Sequence, residues 1–477
     1  MDFADLLPLL MFAALALLLF SGFPVAFILA GVGLLFGMIG MLFDVFSWSE
    51  FGAIPARIYG SLAESLILTA IPMFILMGLV LERSGVARNL LDGLQYLMGR
   101  TPGALALAVT LMGTIMAATT GIIGASVVMM TVMALPLMAD QDYDMKFAGG
   151  TIAAAGTLGI LLPPSIMLII MAELLSKSVG VLFKAAIVPG LILATFYVLY
   201  ILLRAVFDPQ AAPQRVVKTE RLETPELIKL LMRSLLPPLL LIGLVLGSII
   251  FGWATPTEAA GVGAAGALLL SLFGRNQRAV SHAASSHAAS CHADRQKEET
   301  WFGFLSDVLY RTATTNAMLF AIFIGATIFA FTFRSLGGDD LITDFVEHLG
   351  LGPWGLLMMI MALVFLLGFF LDWIEITMIV LPVFAPIIEG FDFGTHVDAG
   401  NTAYWFAILL ALNLQTSFLT PPFGFSIFYM KAAAGDAIRL GQVYRGVIPY
   451  VIIQLIVLGL VMAFPQIALW LPTQLAN

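Results

Sequence analysis

The sequence has little charge and almost no cysteine. Of its 477 residues, 11% are Asp, Glu, Lys or Arg, 60% are hydrophobic, and Cys291 is the single cysteine. One cysteine excludes an internal disulfide framework and a cysteine-rich metal site. The net charge of -8 argues against nucleic acid as a partner, because no basic face is available to neutralise phosphates. No soluble domain can bury so much apolar surface, so the composition predicts a polytopic, all-α protein of the lipid bilayer.

Apolar runs of spanning length, or close to it, recur along the chain. They include residues 6–20, 24–43, 235–251 and 447–464. None has the basic n-region and small-residue cleavage site of a signal peptide. We therefore expect the first helix to be retained.

The two halves of the chain match in five ordered blocks, a sign of internal repeats. The blocks pair Arg83-Ser84 with Arg334-Ser335, Pro102 with Pro353, Leu135-Pro136 with Leu381-Pro382, Pro163-Pro164 with Pro421-Pro422, and Pro189 with Pro449. In each half, the stretch from the Arg-Ser pair to the first proline is predicted to be a charged or glycine-containing loop between apolar segments.

Basic residues orient the halves, because cytoplasmic loops carry an excess of them. Residues 204–233 hold six Lys and Arg and residues 275–311 hold five, so both segments are predicted to be cytoplasmic. If the second repeat is inverted relative to the first, 18 of the 22 basic residues lie inside. This asymmetry predicts an inverted repeat with both termini on the periplasmic side.

The predicted organisation has five parts. They are N-terminal scaffold helices (1–61), a first repeat (62–204) with hairpin 102–139 and broken helix 147–175, cytoplasmic loops and a connecting helix pair (205–311), a second repeat (312–465) with hairpin 354–388 and broken helix 401–434, and a C-terminal tail (466–477).

A polar tract between the halves reads SHAASSHAASCHAD at residues 281–294. His282, His287 and His292 recur every five residues and therefore share no helical face, although Cys291 is adjacent. A metal-binding tract is one interpretation. A disordered cytoplasmic linker is the favoured one.

Two apolar segments carry adjacent prolines where helix would be expected. The first break is GTLGILLPPS at 156–165, and the second is NLQTSFLTPPFG at 413–424. Proline suits the first turn of a helix, so each pair is predicted to begin a new half-helix, starting at Ser165 and at Phe423. Each break is predicted to face the tip of a re-entrant hairpin. The first tip is ATTGIIGAS at 118–126, and the second is GFFLDWIEIT at 368–377.

An interrupted membrane helix exposes carbonyl oxygens on one side and N–H groups on the other, so it can bind a cation and an anion together. The candidate Na⁺ ligands are Thr119, Thr120, Gly121, Ser126, Gly156, Gly159, Ile160, Pro163, Asp372, Thr416, Ser417 and Thr420. The candidate substrate contacts are Pro164, Ser165, Asn413, Pro422 and Phe423. No other metal and no cofactor is expected.

Competing structural interpretations exist at each position. A lone proline pair is more often a kink than a site, but two pairs at matching places favour a site. Asp372 and Glu375 share a helical face if the second tip is helical, and either an ion or proton role or simple solvation fits them. Thr255, Pro256 and Glu258 are interpreted as a capping box that starts a helix.

Over nearly its whole length the chain resembles the large membrane subunit of tripartite ATP-independent periplasmic (TRAP) transporters, the DctM-like permeases. The motifs that carry this resemblance are GTLGILLPPS, GWATPTEAAGVGA, NLQTSFLTPPFGFSIFYM and YRGVIPY. FLDWIEITMIVLPVFAP and the FLTPPFGFSIFY form resemble the subgroup associated with 2-oxo acids, lactate and related organic acids.

The resemblance implies an elevator-type secondary transporter that is driven by Na⁺. Its partners would be a soluble periplasmic substrate-binding protein and a small four-helix membrane subunit. It implies ion sites where the Thr120-Gly121 region faces residues 156–164 and where the Asp372 region faces residues 416–422. Many relatives have a Ser-rich first tip followed by an aspartate, whereas this chain has Thr120-Gly121-Ile122-Ile123 and then Ser126, which favours backbone carbonyls as ligands. No four-helix segment precedes Met1, so we expect the small subunit to be a separate chain.

The sequence therefore predicts the permease subunit of a Na⁺-coupled, binding-protein-dependent importer of a small organic acid in a bacterial inner membrane. The alternatives are a self-sufficient Na⁺/carboxylate transporter and the permease of an ATP-driven importer. An enzyme is not expected, because no catalytic constellation lies within the apolar segments.

Overall fold

A computed structural model describes residues 6–99, 101–120, 123–213, 230–232, 234–284, 301–421 and 424–475, with backbone alone at 117–120, 273–284, 343, 345–347 and 349. The described residues form helices, turns and loops, with no strand among them. The first ten helices are α1 Leu7–Leu19, α2 Val25–Leu42, α3 Trp48–Ile58, α4 Ala70–Arg83, α5 Val86–Met98, α6 Ala104–Thr120, α7 Ile123–Asp140, α8 Met145–Thr157, α9 Ile166–Leu174 and α10 Val179–Phe207.

The second half of the chain forms ten further helices within the described residues. They are α11 Leu236–Ile250, α12 Pro256–Ala284, α13 Trp301–Ser335, α14 Gly338–Leu349, α15 Pro353–Leu367, α16 Trp373–Glu389, α17 Thr402–Ser417, α18 Phe425–Ala434, α19 Leu440–Ala463 and α20 Gln466–Gln474.

Six helices of the described ranges are long and apolar enough to cross a membrane. They are Val25–Leu42, Ile123–Asp140, Val179–Phe207, Leu230–Ile250, Trp301–Ser335 and Leu440–Ala463. The pair α4 and α5, bent by 61°, passes the same test together. Large apolar side chains such as Leu17, Phe27 and Leu42 are exposed. Such surface suits lipid rather than water, as predicted for a multi-pass membrane protein.

The helices of the two halves make the same contacts in the same order. Helix α6 packs on α7 and both pack on α8, while α15 packs on α16 and both pack on α17. The short helix after each break contacts the hairpin of the other half: α9 packs on α16, and α18 packs on α7. Around them, α2 packs on α13 and α4 packs on α12. Each tip is thereby held against the broken helices of both halves.

Glycine allows α8 and α19 to pack backbone to backbone. A Cβ atom on Gly150 would meet the carbonyl of Gly446, and one on Gly446 would meet the carbonyl of Lys146. Small residues at such crossings are typical of helix packing in membranes. The first broken helix is therefore fixed closely against a spanning helix of the second half.

Two predicted loops are instead helices. The stretch between Arg83 and Pro102 contains α5, and that between Arg334 and Pro353 contains α14. Each follows a glycine with positive φ, Gly85 or Gly337, which makes the sharp turn away from the preceding helix. The buried residues of α5 recur with helical spacing on one face, and that amphipathic pattern overrides the local charge.

Other boundaries differ modestly from those predicted. Residues 204 and 205 both lie within α10, and residues 311 and 312 both lie within α13, so two predicted divisions fall inside continuous helices. The capping box at the start of α12 is confirmed, since the Thr255 N–H donates to Glu258 Oε2 at 2.8 Å. Helix α12 ends at Ala284, and the rest of the predicted histidine linker lies outside the described residues.

Candidate functional site

The first break lies entirely inside the protein. Helix α8 ends at Thr157, a 3-10 turn covers Leu158–Ile160, and α9 begins at Ile166. Every residue from 147 to 172 is buried. Irregular backbone at membrane depth is tolerated when protein surrounds it. The apolar run can therefore be interrupted here without exposing backbone groups to lipid.

The prolines occupy the connection rather than the first turn of α9, which corrects the prediction for Ser165. This residue is the N-cap of α9, with extended backbone angles of φ -113 and ψ 131, so the helix starts one residue later. Its hydroxyl donates to the Ile160 carbonyl and leaves the first N–H groups of α9 with no side-chain cap. Pro163 and Pro164 precede the N-cap and are both buried.

Two residues predicted to bind Na⁺ through their carbonyls, Gly156 and Ile160, also make contacts that hold the first break in place. A Cβ atom at Gly156 would collide with the Val127 side chain of α7, so glycine allows the break to lie against the first hairpin. The Ile160 carbonyl already accepts the Ser165 hydroxyl, which occupies one of its two lone pairs. Gly159 lies in the 3-10 turn between them.

At the second break, α17 ends at Ser417 and α18 begins at Phe425 after Gly424, whose φ is 41. The three predicted hydroxyl ligands all donate to carbonyls of the preceding turn. The Thr416 hydroxyl donates to the Asn413 carbonyl, the Ser417 hydroxyl to the Leu414 carbonyl and the Thr420 hydroxyl to the Thr416 carbonyl. Each oxygen–oxygen distance is 2.6 Å. Their hydrogens are thus committed to the helix, and their oxygen lone pairs keep the capacity to accept a cation.

Of the predicted substrate contacts of the second half, Asn413 is the one that lies within the described residues. The Asn413 side chain donates to the Met361 carbonyl of α15 at 2.6 Å, so it ties the second break to its own hairpin. Asn413 is only 1% exposed. Pro422 and Phe423 lie outside the described residues.

The first tip joins α6 to α7. Helix α6 ends at Thr120 and α7 begins at Ile123, so Gly121 and the side chains of Thr119 and Thr120 lie outside what is described. Ser126, in the first turn of α7, is buried.

The second tip is closed by a capping box. Asp372 is the N-cap of α16, where its carboxylate accepts the Trp373 N–H at 2.8 Å. The Asp372 N–H in turn donates to Glu375 Oε2 at 2.6 Å. Asp372 therefore precedes the helix, and the shared helical face predicted for the two acids does not form. Both carboxylates are used to start α16.

Both tips reach one cavity of about 370 Å³, here named the central cavity. Its walls include Ile123 and Gly124 of the first tip and Asp372 and Trp373 of the second. Phe418 of the second break completes this side. Apolar walls with a few polar groups are typical of small-molecule sites.

The opposite wall of the central cavity belongs to the surrounding helices. Glu82 comes from α4 and Arg311 from α13, while Ile166, the first residue of α9, and Tyr429 of α18 close the ends. Of the three charged residues that line the central cavity, Glu82, Arg311 and Asp372, the sequence analysis predicted Asp372 alone as a site residue. A second cavity, of about 710 Å³, lies beyond α16 and is lined by Arg57 and Arg334 among others.

A buried polar cluster joins the two broken helices and was missed by the sequence analysis. Gln415 of α17 donates to the Thr157 hydroxyl of α8 at 3.3 Å. Gln454 of α19 lies 3.5 Å from the same oxygen and donates to the Tyr197 hydroxyl at 2.8 Å. Both glutamines are fully buried. The signal that would have found the cluster is polar side chains in otherwise apolar helices.

A second contact missed by the sequence analysis also joins the halves. The Ser426 hydroxyl of α18 donates to the Ala153 carbonyl of α8 at 2.9 Å. Within the described residues, no group of three or more His, Cys, Asp or Glu side chains is arranged to hold a metal ion.

The sequence matches a family model described as tripartite ATP-independent periplasmic transporter, DctM component, over residues 12–467. A C4-dicarboxylate TRAP transporter large permease of Pseudomonas aeruginosa is 31% identical over 87% of this chain and 88% of its own. The sialic acid TRAP large permease of Vibrio cholerae is 27% identical over 95% and 96%.

An isethionate TRAP permease, DctMQ, of Oleidesulfovibrio alaskensis is 27% identical over 98% of this chain and 67% of its own length. The crystal structure of the YdaH transporter of Alcanivorax borkumensis has a TM-score of 0.56 and 14% identity, covering 89% of this chain and 88% of that one. At that identity the likeness concerns the fold alone.

Proposed function

The chain belongs to the DctM component family of tripartite ATP-independent periplasmic transporters, and we propose that it imports a small organic acid by Na⁺-coupled, binding-protein-dependent transport. The family match confirms the prediction that the chain is a transport protein rather than an enzyme. The observation that carries the proposal is the central cavity, where both tips and the second break meet the surrounding helices.

Inverted repeats are the first element of the proposed mechanism. Thr157 and Gln415, which are hydrogen-bonded, are 258 residues apart, as are the leading prolines of the two breaks, Pro163 and Pro421. Two residues at the same repeat position contact each other only near an axis that relates the repeats. This contact, together with the duplicated order of helix packing, supports a two-fold axis between the broken helices.

The same arrangement supports an elevator movement. The two hairpins and the two broken helices pack on one another, and the polar cluster at Thr157 ties them into one body. Helices α2, α4, α12 and α13 form the surrounding scaffold. In the proposed cycle the inner body carries the central cavity across the membrane, with cavities on either side of α16 giving it room.

Na⁺ coupling is supported by the chemistry of the breaks. Na⁺ accepts neutral hard oxygens, and Thr416, Ser417 and Thr420 present three hydroxyl oxygens whose hydrogens point into the helix. The uncapped first turn of α9 offers N–H groups to an anion beside the cavity, since Ile166 lines it. Cation and acid would thus bind close together and move as a pair.

The proposed substrate is a 2-oxo acid, lactate or a dicarboxylate. Relatives are named for a C4-dicarboxylate, for sialic acid and, in Escherichia coli, for 2,3-diketo-L-gulonate, all of which are carboxylates. The proposed partners are a soluble periplasmic binding protein and a small membrane subunit on a separate chain, although the isethionate relative is named DctMQ. The proposed location is the inner membrane, with both termini periplasmic.

Reconstitution tests the proposal. The chain, its small membrane subunit and the binding protein would be placed in proteoliposomes with radiolabelled pyruvate, lactate or succinate outside. Accumulation is expected under an inward Na⁺ gradient and not under a K⁺ gradient at the same membrane potential. Na⁺-independent uptake driven by ATP, or uptake by the chain alone, would contradict the proposal.

A further inference from the structure

We propose that Arg311 binds the carboxylate of the transported acid on the scaffold side of the central cavity. Of the described residues lining this cavity, Arg311 is the one cation, and it faces two acids, Glu82 and Asp372. This inference rests on the proposed function, because it assumes that an organic acid occupies the cavity.

The guanidinium is held in place by one edge only. Its Nε donates to Asp307 Oδ2, one turn earlier on α13, at 2.8 Å. The same carboxylate oxygen also accepts Nη1 of Arg83 from α4. Asp307 is therefore shared between two cations, and Glu82 also interacts electrostatically with both of them.

The other edge of the guanidinium is available to a ligand. The side chain is 57% exposed, and no hydrogen bond to its terminal nitrogens is found within the described residues. Glu82 Oε2, on the same wall, is buried and also lacks a hydrogen-bond partner there. Two parallel N–H groups in a fixed fork match the geometry of a carboxylate, so this edge suits a bidentate contact.

Charge decides where the acid would lie. The carboxylates of Glu82 and Asp372 repel an anion, and Asp372 is engaged in starting α16. An organic acid in this cavity is stabilised where its carboxylate meets Arg311, with its carbon skeleton against the apolar residues of the tips. Without Arg311 the charged groups of the wall would all be acidic.

The contact between Arg311 and the acid is expected on one face of the membrane only. Arg311 lies on the scaffold helix α13, whereas Asp372 and Ile123 lie at the tips of the hairpins. If the hairpins move past the scaffold, Arg311 meets the acid in only one of the two end positions. The basic residues near it predict that this is the cytoplasmic one, so Arg311 sets the affinity for acid on the cytoplasmic face.

The experiment compares transport from the two faces of proteoliposomes that contain the complete complex. Radiolabelled pyruvate, lactate and succinate are the probes, and the variants are Arg311→Gln, Arg311→Lys and, as matched control, Arg83→Gln. Arg83 shares Asp307 but does not line the cavity. Assembly of each variant is checked by gel filtration in detergent, and Arg311→Lys keeps the charge if Arg311→Gln does not assemble.

Arg311→Gln is expected to raise the half-saturating acid concentration for efflux from the cytoplasmic face about tenfold, the loss typical of a charged hydrogen bond. Binding-protein-dependent uptake should keep its half-saturating concentration within about twofold. Arg311→Lys should fall between, because it keeps charge but not the fork. Equal changes on both faces, or none, would overturn the role of Arg311. Absence of Na⁺-driven uptake by the unaltered complex would instead overturn the proposed function.

Discussion

Gly446→Ala should destabilise the protein by separating two helices. A methyl group at Gly446 of α19 would lie 2.9 Å from the Lys146 carbonyl carbon and 3.0 Å from the Gly150 nitrogen of α8. These are backbone atoms, so no side-chain rotation can relieve the clash. The first broken helix would have to move away from α19, and with it the polar cluster that joins the halves.

The magnitude follows from two opposing effects. Overpacking costs about 1–3 kcal/mol, and a clash with backbone lies at the upper end of that range. Replacing glycine in a helix by alanine returns up to about 1 kcal/mol, because the unfolded chain loses conformational freedom. The net expected loss in the free energy of unfolding is therefore about 2 kcal/mol.

The matched control is Gly459→Ala on the same helix. A Cβ atom at Gly459 has nothing within 4 Å, so this change should be neutral or stabilising. Thermal unfolding of both variants in one detergent, followed by tryptophan fluorescence, measures the difference. Gly446→Ala should unfold several degrees below the control. Equal midpoints would refute the close approach of α8 and α19.

Three further predictions concern the breaks and the second tip. Thr420→Val should raise the Na⁺ concentration for half-maximal uptake several-fold, because it removes a neutral oxygen ligand. The control Thr314→Val loses a similar hydrogen bond, of 2.9 Å, to a carbonyl of its own helix and should leave that concentration unchanged. Equal effects of the two changes would exclude Thr420 from the ion site. Asn413→Leu should cost about 1 kcal/mol in the free energy of unfolding, because it removes a buried hydrogen bond to the Met361 carbonyl of α15; an unchanged thermal midpoint would contradict this. Asp372→Asn should keep the helix cap and the stability, because asparagine also caps helices well. A changed Na⁺ dependence of uptake would then assign the Asp372 carboxylate to ion coupling. An unchanged Na⁺ dependence would exclude it from the ion site.

The helices were predictable where the pattern is local. Apolar runs predicted α1, α2, α11 and α19 to within a few residues, except at the start of α19, which begins at Leu440 rather than within the run at 447. Proline and glycine located both breaks. The amphipathic helices α5 and α14 were mistaken for loops, because charged residues and the turn glycines Gly85 and Gly337 obscured a helical spacing that was present.

The site was predictable in its elements and not in its contacts. Spacing placed Asp372 at a tip, but whether it lies in the helix or caps it depends on one backbone turn. The hydrogen bond from Asn413 to the Met361 carbonyl depends on tertiary packing, which the sequence pattern does not show. Arg311 and Gln415 are distant in sequence from most of their neighbours in the site, and only the packing of α13 and α17 brings them there.

The most direct test of the central claim fills the central cavity. Val128 lines it from α7 and is 36% exposed, while Val132, one turn further on the same helix, is 59% exposed and does not line it. In the reconstituted complex, Val128→Trp should abolish Na⁺-driven uptake of the acid, and Val132→Trp should leave it unchanged. Uptake by Val128→Trp at the unaltered rate would show that the acid crosses the membrane elsewhere.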